Sequence, residues 1–190
     1  IGCGCGATTL ELAAAVGPTG RVVGLDISVP MTALASQRLA NSGFAHAVAH
    51  VADAQVARAA SFGGPVDAVF SRFGVMFFAD PVAAFANLHA NTNPDGRLAF
   101  VCWQGAKHNR LFSDMARELA TILPNQPAPD PNAPGPMAFA DPQRVQQILR
   151  DAGWRDINIA PHVAPMQLFG TANFDVALNA SLRIGSAGRA

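Results

Sequence analysis

The sequence of 190 residues contains no tyrosine and a single lysine, Lys107, and it lacks several common catalytic motifs. Short-chain dehydrogenases use a Tyr-x-x-x-Lys pair, which this chain cannot supply. The absence of Gly-x-x-x-x-Gly-Lys-Ser/Thr excludes P-loop phosphoryl transfer. Neither His-Glu-x-x-His nor Gly-x-Ser-x-Gly occurs, so the usual routes to zinc-dependent and serine hydrolysis have no basis here. No metal site is predicted.

Net charge is also missing, since 13 basic residues balance 13 acidic residues. This balance gives no electrostatic reason to expect a nucleic acid or an anionic membrane as a partner. No apolar run approaches the roughly 20 residues of a membrane-spanning helix. The three cysteines, Cys3, Cys5 and Cys102, include no Cys-x-x-Cys pair, which favours a reducing compartment. We therefore predict a cytoplasmic protein without a membrane span.

The most informative stretch is the glycine loop, Ile1-Gly2-Cys3-Gly4-Cys5-Gly6, which precedes an amphipathic helix beginning at Ala7 or Thr8. Alternating glycines permit positive φ and bring backbone N–H groups close to a ligand with no Cβ between them. The loop alone is a weak signal, because it also fits the dinucleotide-binding fingerprint. Such a loop normally follows a buried strand, which is not seen before Ile1, so we expect the chain to be incomplete.

Two acids follow the glycine loop at the ends of predicted strands. Asp26 lies about twenty residues after the glycines, where Rossmann-type folds place a carboxylate that accepts hydrogen bonds from ribose hydroxyls. The alternative is that Asp26, or Ser28, caps the next helix. Asp53 ends the following strand and has the same alternative, a cap for a short helix over residues 54–62.

The periodicity of apolar residues predicts strands that alternate with helices, and hence a parallel sheet with right-handed crossovers. The predicted strands cover residues 21–26, 47–53, 66–70 and 97–103, and the helices cover 7–16, 30–42, 54–62 and a segment from Asp80. A tight turn is predicted at 93–96. Further along we predict a helix at 109–123, an irregular loop at 124–136 with six prolines, a helix from Asp141 to Gly153, a strand at 154–161 and a helix at 171–184.

Five motifs in this order resemble the class I S-adenosylmethionine-dependent methyltransferases, and among them the small-molecule branch that includes quinone-biosynthesis enzymes. The matching segments are Ile1-Gly2-Cys3-Gly4-Cys5-Gly6, Gly24-Leu25-Asp26-Ile27-Ser28, Ala52-Asp53-Ala54, Asp67-Ala68-Val69-Phe70-Ser71 and Pro94-Asp95-Gly96-Arg97-Leu98. The resemblance covers residues 1–103. It implies an α/β fold, Rossmann-like and doubly wound, with a mostly parallel sheet in three αβα layers.

The resemblance also implies a domain organisation and a set of site residues. Residues 1–190 would form one domain, incomplete at both termini, with a cofactor-binding half at 1–103 and a substrate-side half at 104–190. S-adenosyl-L-methionine would be the cofactor, with ribose on Asp26, adenine packed on Ile27 and its exocyclic amino group on Asp53. The remaining cofactor-binding positions would be Gly2, Gly4, Gly6, Ser28, Ala54, Ser71, Arg72 and Phe73.

The exit from the fourth strand, residues 71–78, is unusually apolar for a loop and is predicted to form one wall of the ligand cleft. Met76, Phe77 and Trp103 are the candidate residues for the acceptor pocket. Methyl transfer to a small-molecule acceptor by in-line displacement needs alignment and exclusion of water. A protein base is needed only where the acceptor must lose a proton, and none is assigned.

Two other functions remain open at this stage. An NAD(P)-dependent oxidoreductase would share the glycine loop and Asp26, although it explains neither Asp53 nor the 93–98 turn. A non-catalytic nucleotide-binding domain or fragment would share the whole pattern. The oligomeric state and the methylated atom are not predicted.

Overall fold

The computed structural model describes residues 1–122, 130–165 and 175–176. The chain divides into two compact units, Ile1–Ile159 and Ala160–Ala190. In the second unit, 160–165 are without regular structure, and Asp175 and Val176 are helical. The predicted helix at 171–184 otherwise lies outside the described residues, as do residues 123–129 of the proline-rich loop. Every candidate site residue belongs to the first unit.

Parallel strands and helices alternate along the first unit, which confirms the predicted α/β arrangement. The strands are β1 (Val22–Asp26), β2 (Ala47–Val51), β3 (Val66–Arg72) and β4 (Thr92–Val101). The α-helices are α1 (Ala7–Val16), α2 (Val29–Ser42), α3 (Pro81–Ala90), α4 (Arg110–Ile122) and α5 (Pro142–Asp151). Short 3-10 helices cover Ala59–Phe62, Val75–Phe77 and Ala106–His108.

Three of the helices, α2, α3 and α5, begin where the sequence supplies a capping side chain followed within two residues by proline. Ser28, Asp80 and Asp141 each accept a hydrogen bond from a backbone N–H of the first turn of α2, α3 and α5 respectively. Helix α2 ends at Gly43, whose φ of 75° is left-handed and stops the helix. The capping alternative for Ser28 is therefore confirmed.

The strands form two parallel pairs, β1 with β2 and β3 with β4. The start of the glycine loop lies between them, because the Ile1 nitrogen donates to the Phe70 carbonyl oxygen (2.6 Å) and the Cys3 N–H donates to the Leu25 carbonyl oxygen (3.1 Å). Strand order therefore reverses at the glycine loop. In doubly wound sheets this reversal creates the ligand crevice at the carboxyl ends of the strands.

Several predicted boundaries were wrong. Residues 54–56 form a turn and residues 57–58 are irregular, so the predicted helix at 54–62 is reduced to the 3-10 helix Ala59–Phe62. The predicted turn at 93–96 lies inside β4. Val66 pairs with Thr92 and Ala68 pairs with Arg97, so residues 93–96 form an irregularity in the strand opposite Asp67. Strand β3 extends through Arg72, because its last residues pair with the end of β4.

The predicted strand at 154–161 is also wrong, since these residues are not a strand. The Trp154 N–H returns to the Leu149 carbonyl oxygen (2.9 Å), and its indole Nε1 donates to the Phe85 carbonyl oxygen (3.0 Å). Trp154 is thus held against α3, and Ile157 packs on the larger hydrophobic core. A strand also needs a neighbour for its backbone groups, and β1–β4 pair only among themselves in the described part of the chain.

The larger hydrophobic core lies around α3, α5 and the exit from β3. Its fully or nearly fully buried side chains include Val75, Met76, Phe85, Leu88 and Ile148. A smaller cluster between α1, β1 and α2 includes Ala13, Val22 and Leu39. Within the described ranges, every helix is too short or too polar to cross a membrane.

Candidate functional site

All three glycines of the loop adopt positive φ, at 63° for Gly2, 51° for Gly4 and 85° for Gly6. This conformation is open to glycine but strained for residues with a Cβ. The loop therefore reverses sharply between the strands and the start of α1. The three positions differ, however, in what surrounds them.

A Cβ at Gly2 would lie 2.8 Å from Cα of Gly74, and a Cβ at Gly6 would lie 3.0 Å from Cα of Ala35. Gly2 thus allows the loop to touch the exit from β3, and Gly6 allows it to touch α2. A Cβ at Gly4 would meet no atom within 4 Å. Gly4 is consequently the loop glycine whose backbone has open space on the side where a Cβ would lie. A ligand that approaches the backbone closely needs such a position.

Asp26 lies at the end of β1 and holds the glycine loop with its carboxylate. Oδ2 accepts from the Gly4 N–H at 2.8 Å, and Oδ1 accepts from the Ser28 N–H at 2.9 Å. An ionised carboxylate has about four acceptor positions, so two remain for further donors. The side chain is only half-buried, which leaves these positions accessible.

The two residues after Asp26 have different roles in the structure. The Ser28 side chain accepts from the Met31 N–H at 3.4 Å as the cap of α2. Ile27 is 73% exposed, a high value for a large apolar side chain. An exposed isoleucine beside the Asp26 carboxylate leaves an apolar surface next to a hydrogen-bond acceptor.

Asp53 follows β2 at the same end of the sheet and is exposed. Its Oδ1 accepts from the backbone N–H of Gln55 at 2.9 Å, and the Gln55 side-chain amide lies 3.2 and 3.3 Å from the two carboxylate oxygens. Asp53 therefore organises a turn and does not cap a helix. Ala54 is buried in the core and fixes the position where this turn leaves the sheet.

Asn87 of α3 and Asn91, the residue that follows α3, support the turn after Asp53, and the sequence analysis did not predict either role. Asn87 Nδ2 donates to the carbonyl oxygens of Ala54 (3.1 Å) and Ala57 (2.9 Å). Asn91 donates to the Ala57 carbonyl oxygen (3.0 Å) and accepts from the Ala59 N–H (2.8 Å). Both residues lie one α-helical turn apart on one helix face, which is the only signal that the sequence offered for them.

At the end of β3, Ser71 and Arg72 point in opposite directions. Ser71 is 1% exposed, and its Oγ donates to the Ile1 carbonyl oxygen at 3.0 Å. It therefore attaches the glycine loop to β3 and is not accessible to a ligand. Arg72 is exposed at the carboxyl end of the sheet.

Phe73 has a φ of 61°, which is a rare conformation for a bulky residue and is typical of functional sites. Its ring stacks on Trp103, with centroids 4.2 Å apart and planes 12° apart. Trp103 in turn makes an edge contact with Phe112 of α4 at 5.3 Å. The three rings form an aromatic wall at the carboxyl ends of β3 and β4.

The two candidate acceptor residues after Phe73 are placed differently. Met76 is 1% exposed and packs in the core, so it does not reach a pocket surface. Phe77 is 55% exposed. Phe77 and Trp103 therefore remain available to an acceptor, whereas Met76 supports the segment from behind.

Titration at the site is affected at one cysteine of the glycine loop. Burial raises the pKa of the Cys3 thiol above its ordinary value, and the neighbouring Asp26 carboxylate raises it further. Cys3 is therefore a neutral thiol near pH 7. Among the residues the structure describes, no group of three or more His, Cys, Asp or Glu side chains is placed to hold a metal ion.

A concavity of about 500 Å³ lies at the far end of α1 from the glycine loop, lined mainly by Ala13, Gly17, Phe44 and His46. His46 Nε2 already bonds to the Ala13 carbonyl oxygen at 2.9 Å. The concavity faces the opposite end of the sheet from Asp26 and Asp53, so volume alone would point away from the carboxylates. We assign the candidate site to the end of the sheet with the carboxylates, because Asp26 lies there beside the glycine loop, whereas His46 in the concavity is already hydrogen-bonded.

Comparison with known proteins decides the family. The sequence profile described as "Methyltransferase domain" matches residues 1–96. The chain belongs to the methyltransferase domain family. The match covers the glycine loop, both acids and the start of β4, and it confirms the predicted membership in the class I methyltransferases. The narrower quinone-biosynthesis branch stays a prediction.

Relatives of known sequence or structure agree with this family. Nocamycin O-methyltransferase of Saccharothrix syringae is 34% identical over 98 residues, which is 52% of this chain and 34% of that protein. A SAM-dependent methyltransferase from Aquifex aeolicus superposes with a TM-score of 0.57 at 19% identity, covering 80% of this chain and 68% of that one.

Phosphoethanolamine N-methyltransferase 2 of Haemonchus contortus, solved with S-adenosyl-L-methionine, gives a TM-score of 0.56 at 19% identity, covering 82% of this chain and 32% of that one. These structures establish the Rossmann-like methyltransferase fold. The chain spans about a third of the length of the curated relative it matches.

Proposed function

We propose that the protein transfers a methyl group from S-adenosyl-L-methionine to a small-molecule acceptor. The observation that supports this most directly is the pairing of Asp26 with Gly4. The carboxylate that would bind the ribose also accepts a hydrogen bond from Gly4, the loop glycine with open space on the side where a Cβ would lie. We also propose a cytoplasmic location, which Cys3, Cys5 and Cys102 favour as free thiols.

The residues present fit this cofactor. The two acceptor positions left on Asp26 match the two hydroxyls of a ribose, and the exposed Ile27 suits one face of adenine. Asp53 offers a carboxylate to the exocyclic amino group. The Gly4 backbone lies where the methionine end of the cofactor would approach.

The cofactor, when bound, supplies an electrophilic methyl group on a sulfonium. The protein must orient the donor and acceptor in line and exclude water, and alignment alone is worth several kcal/mol, on the order of 7–11 in favourable cases. Gly2, Gly4 and Asp26 would fix the donor. No side chain is proposed as a general base.

The acceptor would lie against the aromatic wall of Phe73, Trp103 and Phe112, with Phe77 beside it. This wall is next to the glycine loop, because Gly74 directly follows Phe73 and touches Gly2. Its apolar surface suits a neutral acceptor and a site from which water is excluded. The acceptor atom is left open, since this fold serves many nucleophiles.

Titration calorimetry with S-adenosylhomocysteine, and with NAD as a comparison ligand, tests the proposal. The wild-type protein should bind S-adenosylhomocysteine saturably and show no binding of NAD. Asp26→Ala should weaken binding by about 1–3 kcal/mol, because the ribose hydroxyls lose their acceptor. Asp67→Ala is the matched control, since the Asp67 carboxylate accepts from Asn93 Nδ2 (2.7 Å) within the β3–β4 pair. Equal affinities for Asp26→Ala and wild type would contradict the site.

Gly4 gives a second, independent arm with a closely matched control. Gly43 has a φ of 75° and, like Gly4, has no atom within 4 Å of an added Cβ, but it lies at the C-terminus of α2. Alanine at either position would have to adopt a positive φ, at a cost of about 1–2 kcal/mol. Only Gly4→Ala should abolish binding of S-adenosylhomocysteine, and equal losses in the two variants would mean that the effect is general destabilisation.

A further inference from the structure

Gln55 joins the Asp53 carboxylate to the segment that precedes α3. Its side-chain Nε2 lies 3.2 Å from Oδ1 and 3.3 Å from Oδ2 of Asp53, while its backbone N–H donates to Oδ1 at 2.9 Å. Its Oε1 accepts from the Ala79 N–H at 2.7 Å. One amide group therefore bonds in two directions at once.

The far end of this connection is rigid. Ala79 is followed by Asp80, which caps α3, and α3 inserts Ala84 and Phe85 fully into the core. Asp53, in contrast, is exposed after β2, and without the Gln55 amide its carboxylate would keep the bond from the Gln55 backbone N–H to Oδ1 but lose the contacts that hold both oxygens. Gln55 transmits the fixed position of α3 to the orientation of an exposed carboxylate.

The role requires a glutamine in particular. The bond to Ala79 needs an acceptor, and the contact with the Asp53 carboxylate needs a donor. Glutamate of the same shape would keep the first and replace the second with a like charge. Methionine of similar length would lose both without adding charge.

We propose that Gln55 is a positioning residue that orients Asp53 toward the 6-amino group of the adenine, and so sets the preference for an adenine base. This inference rests on the proposed function, since it assumes that the nucleoside binds across Asp26 and Asp53. The amide holds the carboxylate in one plane, so an oxygen is ready to accept from the base without a loss of side-chain freedom on binding.

The test compares two ligands on each variant by titration calorimetry. One is S-adenosylhomocysteine, and the other is its analogue with hydrogen in place of the 6-amino group. Gln55→Glu and Gln55→Met should bind S-adenosylhomocysteine about tenfold more weakly than wild type, with the affinity for the analogue nearly unchanged. The ratio of the two affinities is the readout, because a purely structural defect would lower both.

Gln147→Glu is the matched control. Gln147 Nε2 also donates to an aspartate, Oδ1 of Asp151 at 2.8 Å, but on the exposed face of α5. The same exchange there removes the same type of bond and adds the same charge. It should leave both affinities at the wild-type value.

A double-variant cycle completes the test. Once Asp53→Ala has removed the carboxylate, adding Gln55→Glu should change the affinity for S-adenosylhomocysteine by less than about twofold. If the wild-type protein binds S-adenosylhomocysteine and the Gln55 variants show the same ratio of affinities for the two ligands, the role of Gln55 is overturned and the proposed function stays intact. Failure of wild type itself to bind S-adenosylhomocysteine would overturn both.

Discussion

The two sides of the candidate site are built by different interactions. On the proposed cofactor side, carboxylates at strand ends bind backbone N–H groups, as Asp26 does with Gly4 and Ser28. On the proposed acceptor side, aromatic rings pack on one another, as Phe73 does on Trp103. Directional bonds fix individual atoms in place, whereas ring packing shapes a surface. The first side is therefore suited to one constant ligand, and the second can change with the acceptor.

The two sides meet at the contact between Gly2 and Gly74, so breaking this contact should have the largest effect. Gly2→Ala places a Cβ 2.8 Å from a backbone atom at a φ of 63°. We expect the free energy of unfolding to fall by about 3 kcal/mol or more, from clash and strain together. Urea unfolding followed by circular dichroism measures this change.

Gly64→Ala is the control for strain alone, since Gly64 has a φ of 98° and no atom within 4 Å of an added Cβ. It should cost about 1–2 kcal/mol. If Gly2→Ala and Gly64→Ala lower the free energy of unfolding equally, the close contact between Gly2 and Gly74 does not contribute to stability. The two sides of the site would then not be coupled through this contact.

A smaller effect, confined to one side, is expected for Trp103→Ala. Removing the half-buried indole should lower the free energy of unfolding by about 1–3 kcal/mol, because Phe73 and Phe112 lose their shared partner. The affinity for S-adenosylhomocysteine should stay within about twofold of wild type. An affinity loss as large as that of Asp26→Ala would show that the two sides cannot be separated.

The smallest effect is a pH dependence that arises from thiols on both sides. Burial raises the pKa of Cys102 as well as of Cys3, for which Asp26 adds to the shift. Because the folded state disfavours both thiolates, their contribution to stability is complete below the ordinary cysteine pKa of about 8.5 and is lost as pH rises through the folded pKa values.

The urea midpoint should therefore fall less steeply with alkaline pH in a Cys3→Ala, Cys102→Ala variant than in wild type. Cys5→Ala is the control for removing a thiol from the same loop. Parallel pH profiles for the double variant and wild type would contradict this assignment.

Much of the cofactor side could be predicted from the sequence because local rules fix it. Glycine at positions 2, 4 and 6, acids at strand ends and caps followed by proline each act over a few residues. The elements α1 to α5 and β1 to β4 follow from them, with shifted boundaries. The ligand roles of these residues stay predictions until the binding experiments are done.

The errors arose where a contact distant in sequence overrides a local pattern. The segment 154–161 has the apolar residues of a strand, but the Trp154 indole donates a hydrogen bond to the Phe85 carbonyl oxygen of α3. Met76 lies in an apolar loop, but that loop folds back so that Met76 fills the core while Phe77 stays exposed. Neither outcome can be read from spacing, because each depends on which surface is already covered by another element.

The sequence by itself determined the family, the parallel α/β plan and the two acids, since motif spacing and helix caps are properties of short segments. Only the tertiary structure decided that Gly4 is the loop glycine with open space on the side where a Cβ would lie, that Ser71 is buried beneath Ile1, and that Asn87, Asn91 and Gln55 hold the turn at Asp53. These facts depend on contacts between residues that are more than 20 positions apart in the sequence, such as Ser71 with Ile1, Asn87 with Ala54 and Gln55 with Ala79. The contact between Gln55 and Asp53 is the exception, because it is local. Such contacts exist only once the chain has folded.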